Sequence, residues 1–203
     1  MKKPPHVIFL PFVGRSYGYR SAFGIPVLVL GESHYTDSAR KSFPSSFTCD
    51  VMDDVISGDE YRFFTQASKT FLGEKSVDPK TFWNSVAFYN FIQTVVEKGK
   101  RPKAEMWRDA ERPFLEVLEA LKPRPRLIAV FGYGTWECTP CHGKNAKSIT
   151  HLGQKVPCYD FGSGDSWSLA PKLKHPSRGF SPKQWHPVVL KALARAGGHE
   201  FRQ

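Results

Sequence analysis

The stretch VLVLGESHY, Val27 to Tyr35, starts as four apolar residues with no polar interruption and changes character at Gly31. An unbroken apolar run of this length reads as a strand buried on both faces. Such strands belong to parallel sheets covered by helices on each side. Beyond Gly31 the chain places Glu32, Ser33, His34 and Tyr35 in succession. Loops at the carboxyl ends of strands in open α/β sheets are where ligands bind.

Working outward, RLIAVFGYG (Arg126–Gly134) supplies a second buried strand ending in a glycine loop, and WSLAPKLKHPS (Trp167–Ser177) supplies a third. Helical signals lie between and around them. Asp50 to Leu72 is a helical region closed by Gly73, with Phe63, Phe64, Ala67 and Phe71 near helical spacing. Glu105 to Leu121 carries Trp107, Ala110, Phe114, Leu118 and Leu121 on one face, with Pro113 expected to kink or split it. Ser181 and Pro182 open a last helix through Ala196, stopped by Gly197 and Gly198. In that helix Trp185, Val188, Val189 and Ala192 recur at core spacing. FWNSVAFYNFIQTVV (Phe82–Val96) is aromatic-rich and fits helix or strand. Strand and helix in alternation predict a three-layer α/β/α sandwich with a small, mainly parallel central sheet. The 203 residues suit a single domain spanning 1–203.

Composition bounds the function. With 40% hydrophobic and 24% charged residues, disorder is not indicated. Lys plus Arg number 29 against 19 Asp plus Glu, a formal charge of +10 that suits a polyanionic partner such as DNA. Pro4, Pro5 and Pro11 frame the short apolar run near the start and no small-residue cleavage site follows, which argues against a signal peptide. No stretch approaches transmembrane length, so no membrane association is expected. Four cysteines are too few for a disulfide scaffold, which favours a reducing cytoplasm. A monomer is the expected state.

Two strand ends carry chemistry. One bears Glu32, the other His175 in His175-Pro176-Ser177. In a parallel sheet both reach the same edge. A carboxylate and an imidazole facing one cleft suit water-driven bond cleavage: one orients the nucleophile and the other steadies developing negative charge. Taken singly, each motif is more often a polar loop that happens to follow a strand.

The ordered set Gly31-Glu32-Ser33-His34-Tyr35, FYNFIQ (Phe88–Gln93), RPFLEVLEALKPRPRLIAVFGYGTW (Arg112–Trp136) and His175-Pro176-Ser177 resembles the uracil-DNA glycosylase superfamily. Its members carry a first motif of the form G-Q-D-P-Y or G-E-x-P-G and a late H-P-S. The resemblance covers roughly Val27 to Leu193, in the right order. It implies a monofunctional DNA glycosylase acting on a flipped, deaminated or modified base: uracil, hypoxanthine or a modified cytosine such as that of phage DNA. By the same resemblance Glu32 positions the attacking water, His175 hydrogen-bonds the departing base, and Asp37 is a reserve carboxylate. Asn90 reads the base edge, Tyr35 walls the pocket beside Ser33, and Phe47, with Phe43 as rival, stacks on the base. Ser177 and Lys174 grip phosphate, while Arg178 and Phe180 lie in a loop that wedges into the duplex.

The chain departs from the pattern at two places. Ser33 stands where the G-Q-D-P-Y form has its catalytic Asp, and His34 where that form has Pro. One branch of the superfamily holds an iron–sulfur cluster on four cysteines, but the corresponding positions here, near Thr94 and Trp107, are not cysteine. No cofactor is expected.

Two rival readings remain. Gly31-Glu32-Ser33-His34-Tyr35 comes within one residue of a G-x-S-x-G nucleophile elbow, which makes a serine esterase of Ser33, Asp160 or Asp165, and His175. A catalytically dead nucleic-acid-binding member is the other. Cys138-Thr139-Pro140-Cys141-His142 matches a haem-attachment string, and a zinc site with Cys158 fits by ligand type. Structural loop cysteines are the commoner outcome for so short a match, and no metal is expected. His6, His151, His186 and His199 show no partner pattern. Basic residues cluster at Lys98–Lys103, Lys122–Arg126 and Lys172–Lys183. The last brackets the H-P-S motif, so Lys172, Lys174, Arg178 and Lys183 are the expected phosphate contacts.

Overall fold

The computed structural model describes residues 3–37, 42–73, 78–139, 144–177 and 179–198. Its centre is a seven-stranded sheet in the order β1-β4-β2-β6-β9-β8-β7. The four middle strands are β4 (Ala87–Asn90), β2 (Val27–Gly31), β6 (Leu127–Phe131) and β9 (Ser168–Leu173). They run parallel to one another. The edges are antiparallel: β1 (Phe12–Val13) against β4, and the hairpin β7 (Lys144–His151) with β8 (Gln154–Phe161) against β9.

Side-chain alternation along the parallel strands builds two cores. Val27 and Val29 of β2, with Phe88, Ala129 and Phe131, face α1 (Phe47–Ser57), α2 (Arg62–Leu72), α3 (Pro79–Ser85) and α7 (Pro182–Ala196). Leu28 and Leu30, with Tyr89, Ile128 and Val130, face α5 (Glu111–Ala120) and Trp136 of the short α6 (Tyr133–Glu137). The result is a three-layer α/β/α sandwich, and each residue of Val27 to Leu30 is fully buried. In α7, Trp185, Val188, Val189 and Ala192 face the core as their spacing predicts.

Local departures from the sequence reading have physical causes. The region from Asp50 to Leu72 is two helices, because Gly58 at φ 123° ends the first. The Phe82–Val96 stretch is divided: helix α3, capped by the Asp78 carboxylate on the amides of Lys80 and Thr81, ends at Ser85 and β4 begins at Ala87. The break in the Glu105–Leu121 helix falls at Ala110, between α4 (Ala104–Asp109) and α5, and not at Pro113. Pro113 sits in the first turn of α5, where an amide has no helical partner to lose. Hairpin β7–β8 was not anticipated at all. Among the described residues no helix is long and apolar enough to cross a membrane.

Candidate functional site

The ends of β2, β4, β6 and β9 meet at the carboxyl edge of the sheet, and register sets what stands there. Gly31 pairs with Asn90 across the β2–β4 ladder. A Cβ on Gly31 would lie 2.4 Å from the Asn90 Oδ1, so glycine alone lets this carboxamide sit against the strand end. Asn90 is 5% exposed, and its side chain makes no hydrogen bond within the described residues. Its backbone carbonyl accepts a 2.9 Å bond from the Gln93 Nε2, while the Gln93 Oε1 accepts from the amides of Ile8 and Phe9. Gln93 therefore clamps the end of β4 in place. Sequence reasoning passed it over, because an amide that bonds only backbone leaves no pattern.

The loop after Gly31 is stitched to residues 91–98 almost residue by residue. Amides of Phe91, Ile92 and Val96 donate to the carbonyls of Gly31, Glu32 and His34, and β3 (Tyr35–Thr36) pairs in parallel with β5 (Val96–Glu97). His34 points inward. Its Nε2 lies 2.9 Å from the Thr48 Oγ1, and the rings of Phe9 and Phe47 lie against it. Burial lowers its pKa to about 4, so the ring is neutral at physiological pH. It anchors the loop to the first turn of α1.

Glu32 is half-buried, and the Tyr35 hydroxyl donates to its carboxylate. Burial raises the Tyr35 pKa, and the bond and charge of Glu32 raise it further. His175 follows β9, with its ring centroid 5.8 Å from that of Phe63. Burial lowers its pKa, while the charge of Glu32 pulls the other way, so the two groups share one electrostatic environment. Phe63 of α2 also lies 3.4 Å from the Cβ position of Gly31 and touches Phe88 and Phe131. It forms the wall between Gly31 and His175. Gly132, at φ 124°, turns the chain out of β6 with Thr135 and His175 on either side. The exposed thiol of Cys138 completes this edge. Burial, then Glu137 and Glu32, push its pKa up, which makes it a poor nucleophile.

The remaining expected site residues are placed less centrally. Phe47 rests on His34, Phe9 and Phe43, whereas it is Phe63 that lies beside Gly31 and His175. Asp37 is 73% exposed and paired with Lys98 at 2.8 Å, so it serves β5 and is no reserve in the cleft. Phe180 is 9% exposed with its ring toward Phe131, and it does not project from the loop as a wedge must. The Ser177 carbonyl accepts from the Arg62 Nη2, and the Lys174 Nζ bonds the Gly179 carbonyl at 2.9 Å, closing the loop after the motif. Arg178 lies outside the described residues. Lys172 is held by Glu137 at 2.6 Å and sits over the Tyr133 and Trp136 rings.

The esterase triad does not assemble. The Ser33 hydroxyl donates to the Thr94 carbonyl at 2.8 Å. Asp160 pairs with Leu169, six residues before His175 along β9, or about 20 Å at the rise of a strand. Asp165 precedes β9 and lies at that same far end. Of the cysteine string, Pro140, Cys141 and His142 lie outside the described residues. Among the described residues no cluster of three His, Cys, Asp or Glu side chains could hold a metal ion. A separate hollow of about 500 Å³, lined by His6, Met106, Arg108 and Arg112 among others, lies behind the Gln93–Thr94 turn and away from His175. No protein-family model matches the chain, and no curated protein matches it.

Proposed function

We propose that this protein is a monofunctional DNA glycosylase that hydrolyses the N-glycosidic bond of a flipped, deaminated or modified base. The observation that carries the reading is that Glu32, His175 and the Asn90 carboxamide, which has no hydrogen-bond partner among the described residues, stand at one edge of the parallel strands, with Glu32 near enough to His175 to draw its pKa upward against burial. As the bond between sugar and base lengthens, the sugar turns cationic and the base anionic. A carboxylate then belongs beneath the sugar and a hydrogen-bond donor beside the base. Glu32 suits the first place and orients the water that attacks the anomeric carbon. His175, kept neutral by burial, suits the second, donating its N–H to the base oxygen. Water oxygen becomes the new sugar hydroxyl, its proton leaves to Glu32 and solvent, and the base departs with the bonding pair. The Asn90 amide can donate and accept at once, as a pyrimidine edge requires, and the Phe63 ring offers a stacking wall. No lysine lies in either cleft motif to form a Schiff base with the sugar.

The test is incubation with DNA carrying uracil, hypoxanthine, hydroxymethylcytosine or glucosylated cytosine, followed by alkali. Strand breaks at one of these bases are expected for the parent and not for Glu32→Gln. Breaks made equally by Glu32→Gln and His175→Ala would remove this pair from the chemistry.

A further inference from the structure

We propose that hairpin β7–β8 and helix α7 form a docking face for duplex nucleic acid, with Leu152 at the hairpin tip as an apolar wedge that enters the base stack beside the cleft. The proposal rests on the glycosylase reading and adds the surface that meets the duplex. Leu152 and Gly153 make the two-residue turn, with φ of 47° and 76°. Mirror-image hairpin turns need positive φ at both positions, which asparagine, aspartate and glycine adopt readily and leucine does not. Leu152 is the only non-glycine residue with positive φ among the described residues, and it is 93% exposed. Held in an unfavourable conformation and packing on nothing, this leucine serves no purpose inside the fold; such outliers point to function.

Location gives it one. Cys158 pairs with Pro171 and Tyr159 with Ala170; continuing that register four residues past Cys158 brings Gln154 level with His175. The turn thus opens at the same edge of the sheet as His175, because β8 runs antiparallel to β9 and begins where β9 ends. Charge agrees. The hairpin and α7 contain Lys147, Lys155, Lys183, Lys191 and Arg195; their one acidic residue, Asp160, lies across from Lys144 at the end of the hairpin away from the tip. Lys155 lies across from Thr150 next to the tip, and the Lys191 Nζ donates to the Thr150 carbonyl at 2.7 Å. On the other flank of the cleft Lys98, Lys100 and Lys103 are each paired with a carboxylate. A single leucine is too small an apolar face to hold an anionic membrane, whereas single apolar side chains inserted between base steps are how proteins unstack a duplex.

The experiment uses a duplex with a tetrahydrofuran abasic site next to 2-aminopurine, whose fluorescence rises on unstacking. The parent should bind and raise the signal. Leu152→Asn and Leu152→Gly, both suited to the turn, should keep the parent's melting temperature, bind roughly tenfold or more weakly, and abolish the rise. Either folded variant giving the parent's affinity and signal overturns the proposal, as does a parent that prefers phosphatidylserine vesicles or binds no duplex. Base release from single-stranded DNA, which needs no wedge, separates the two readings. Release with a duplex signal indifferent to residue 152 leaves the glycosylase and removes the wedge. A Leu152-dependent signal without release does the reverse.

Discussion

The carboxyl edge of the sheet has two unlike halves. Over β4, β2, β6 and β9, four parallel strands buried between the two cores bring Asn90, Glu32, Gly132 and His175 to one edge of the sheet. Over β8 and β7 an antiparallel hairpin delivers an exposed turn with Lys147 and Lys155 near it, neither of them in an ion pair among the described residues. The first half holds its groups to fixed positions through strand register and packing, which is what chemistry needs. The second exposes long, mobile side chains and one leucine, which is what contact with a long polyanion needs. Rate and binding should therefore separate by region.

The largest effects belong to the parallel half. His175→Ala and Glu32→Gln should each lower base release by about 100- to 1,000-fold while DNA affinity, read by fluorescence anisotropy, stays near the parent's. A variant losing affinity and rate together would erase the distinction between the halves.

Acid should undo the same half next. The His34 ring titrates at its ordinary value of 6.5 when unfolded and at about 4 when folded. Between those values the unfolded chain binds the extra proton, so stability is lost as pH falls from about 6.5 to about 4, amounting to about 3 kcal/mol. Burial lowers the pKa of His175 as well, which adds a loss in the same direction. Urea denaturation at pH 7 and pH 4.5 checks this, and equal midpoints would mean that the His34 ring is not buried neutral.

In the hairpin half, replacing Lys147, Lys155 and Lys191 with serine should make the salt dependence of DNA binding shallower by roughly 2–3 in the log–log slope. Rates at saturating DNA should hold. The same replacement at Lys98, Lys100 and Lys103 should change the slope less, because each of those lysines already pairs with a carboxylate. Slopes that fall alike would show that both flanks meet phosphate.

The smallest effect is expected at Ser33. Ser33→Ala removes the hydroxyl bond to the Thr94 carbonyl and should cost about 0.5–1.5 kcal/mol of stability, with turnover retained. Abolished turnover would restore the serine-nucleophile reading.

Val27 to Gly31 and Leu127 to Phe131 were legible as buried parallel strands because a strand covered on both faces has to be apolar at every position. The same run marks where the polar loops begin, so Glu32 and His175 could be placed at one edge of the sheet. Helix α7 was legible for a kindred reason, since its core stripe and its Pro182 and Gly197 boundaries are local signals. Hairpin β7–β8 was not. Its strands lie at the sheet edge with mixed exposure, and its turn carries Leu-Gly where Asn-Gly would have announced it. Nor could spacing tell which aromatic stands beside the cleft. Phe47 and Phe63 look alike along the chain, and only the packing of α1 on His34 and of α2 across Gly31 and His175 separates them. The same holds for Asp37 and Phe180, one drawn off by Lys98 and the other by Phe131. The sequence by itself determined the parallel sheet, its loaded edge and the excess of positive charge, because hydrophobic period and composition are properties of the chain. Which groups stand beside one another at that edge, and which lysines pair with carboxylates, only the tertiary structure decided, because those depend on partners brought together from distant parts of the chain.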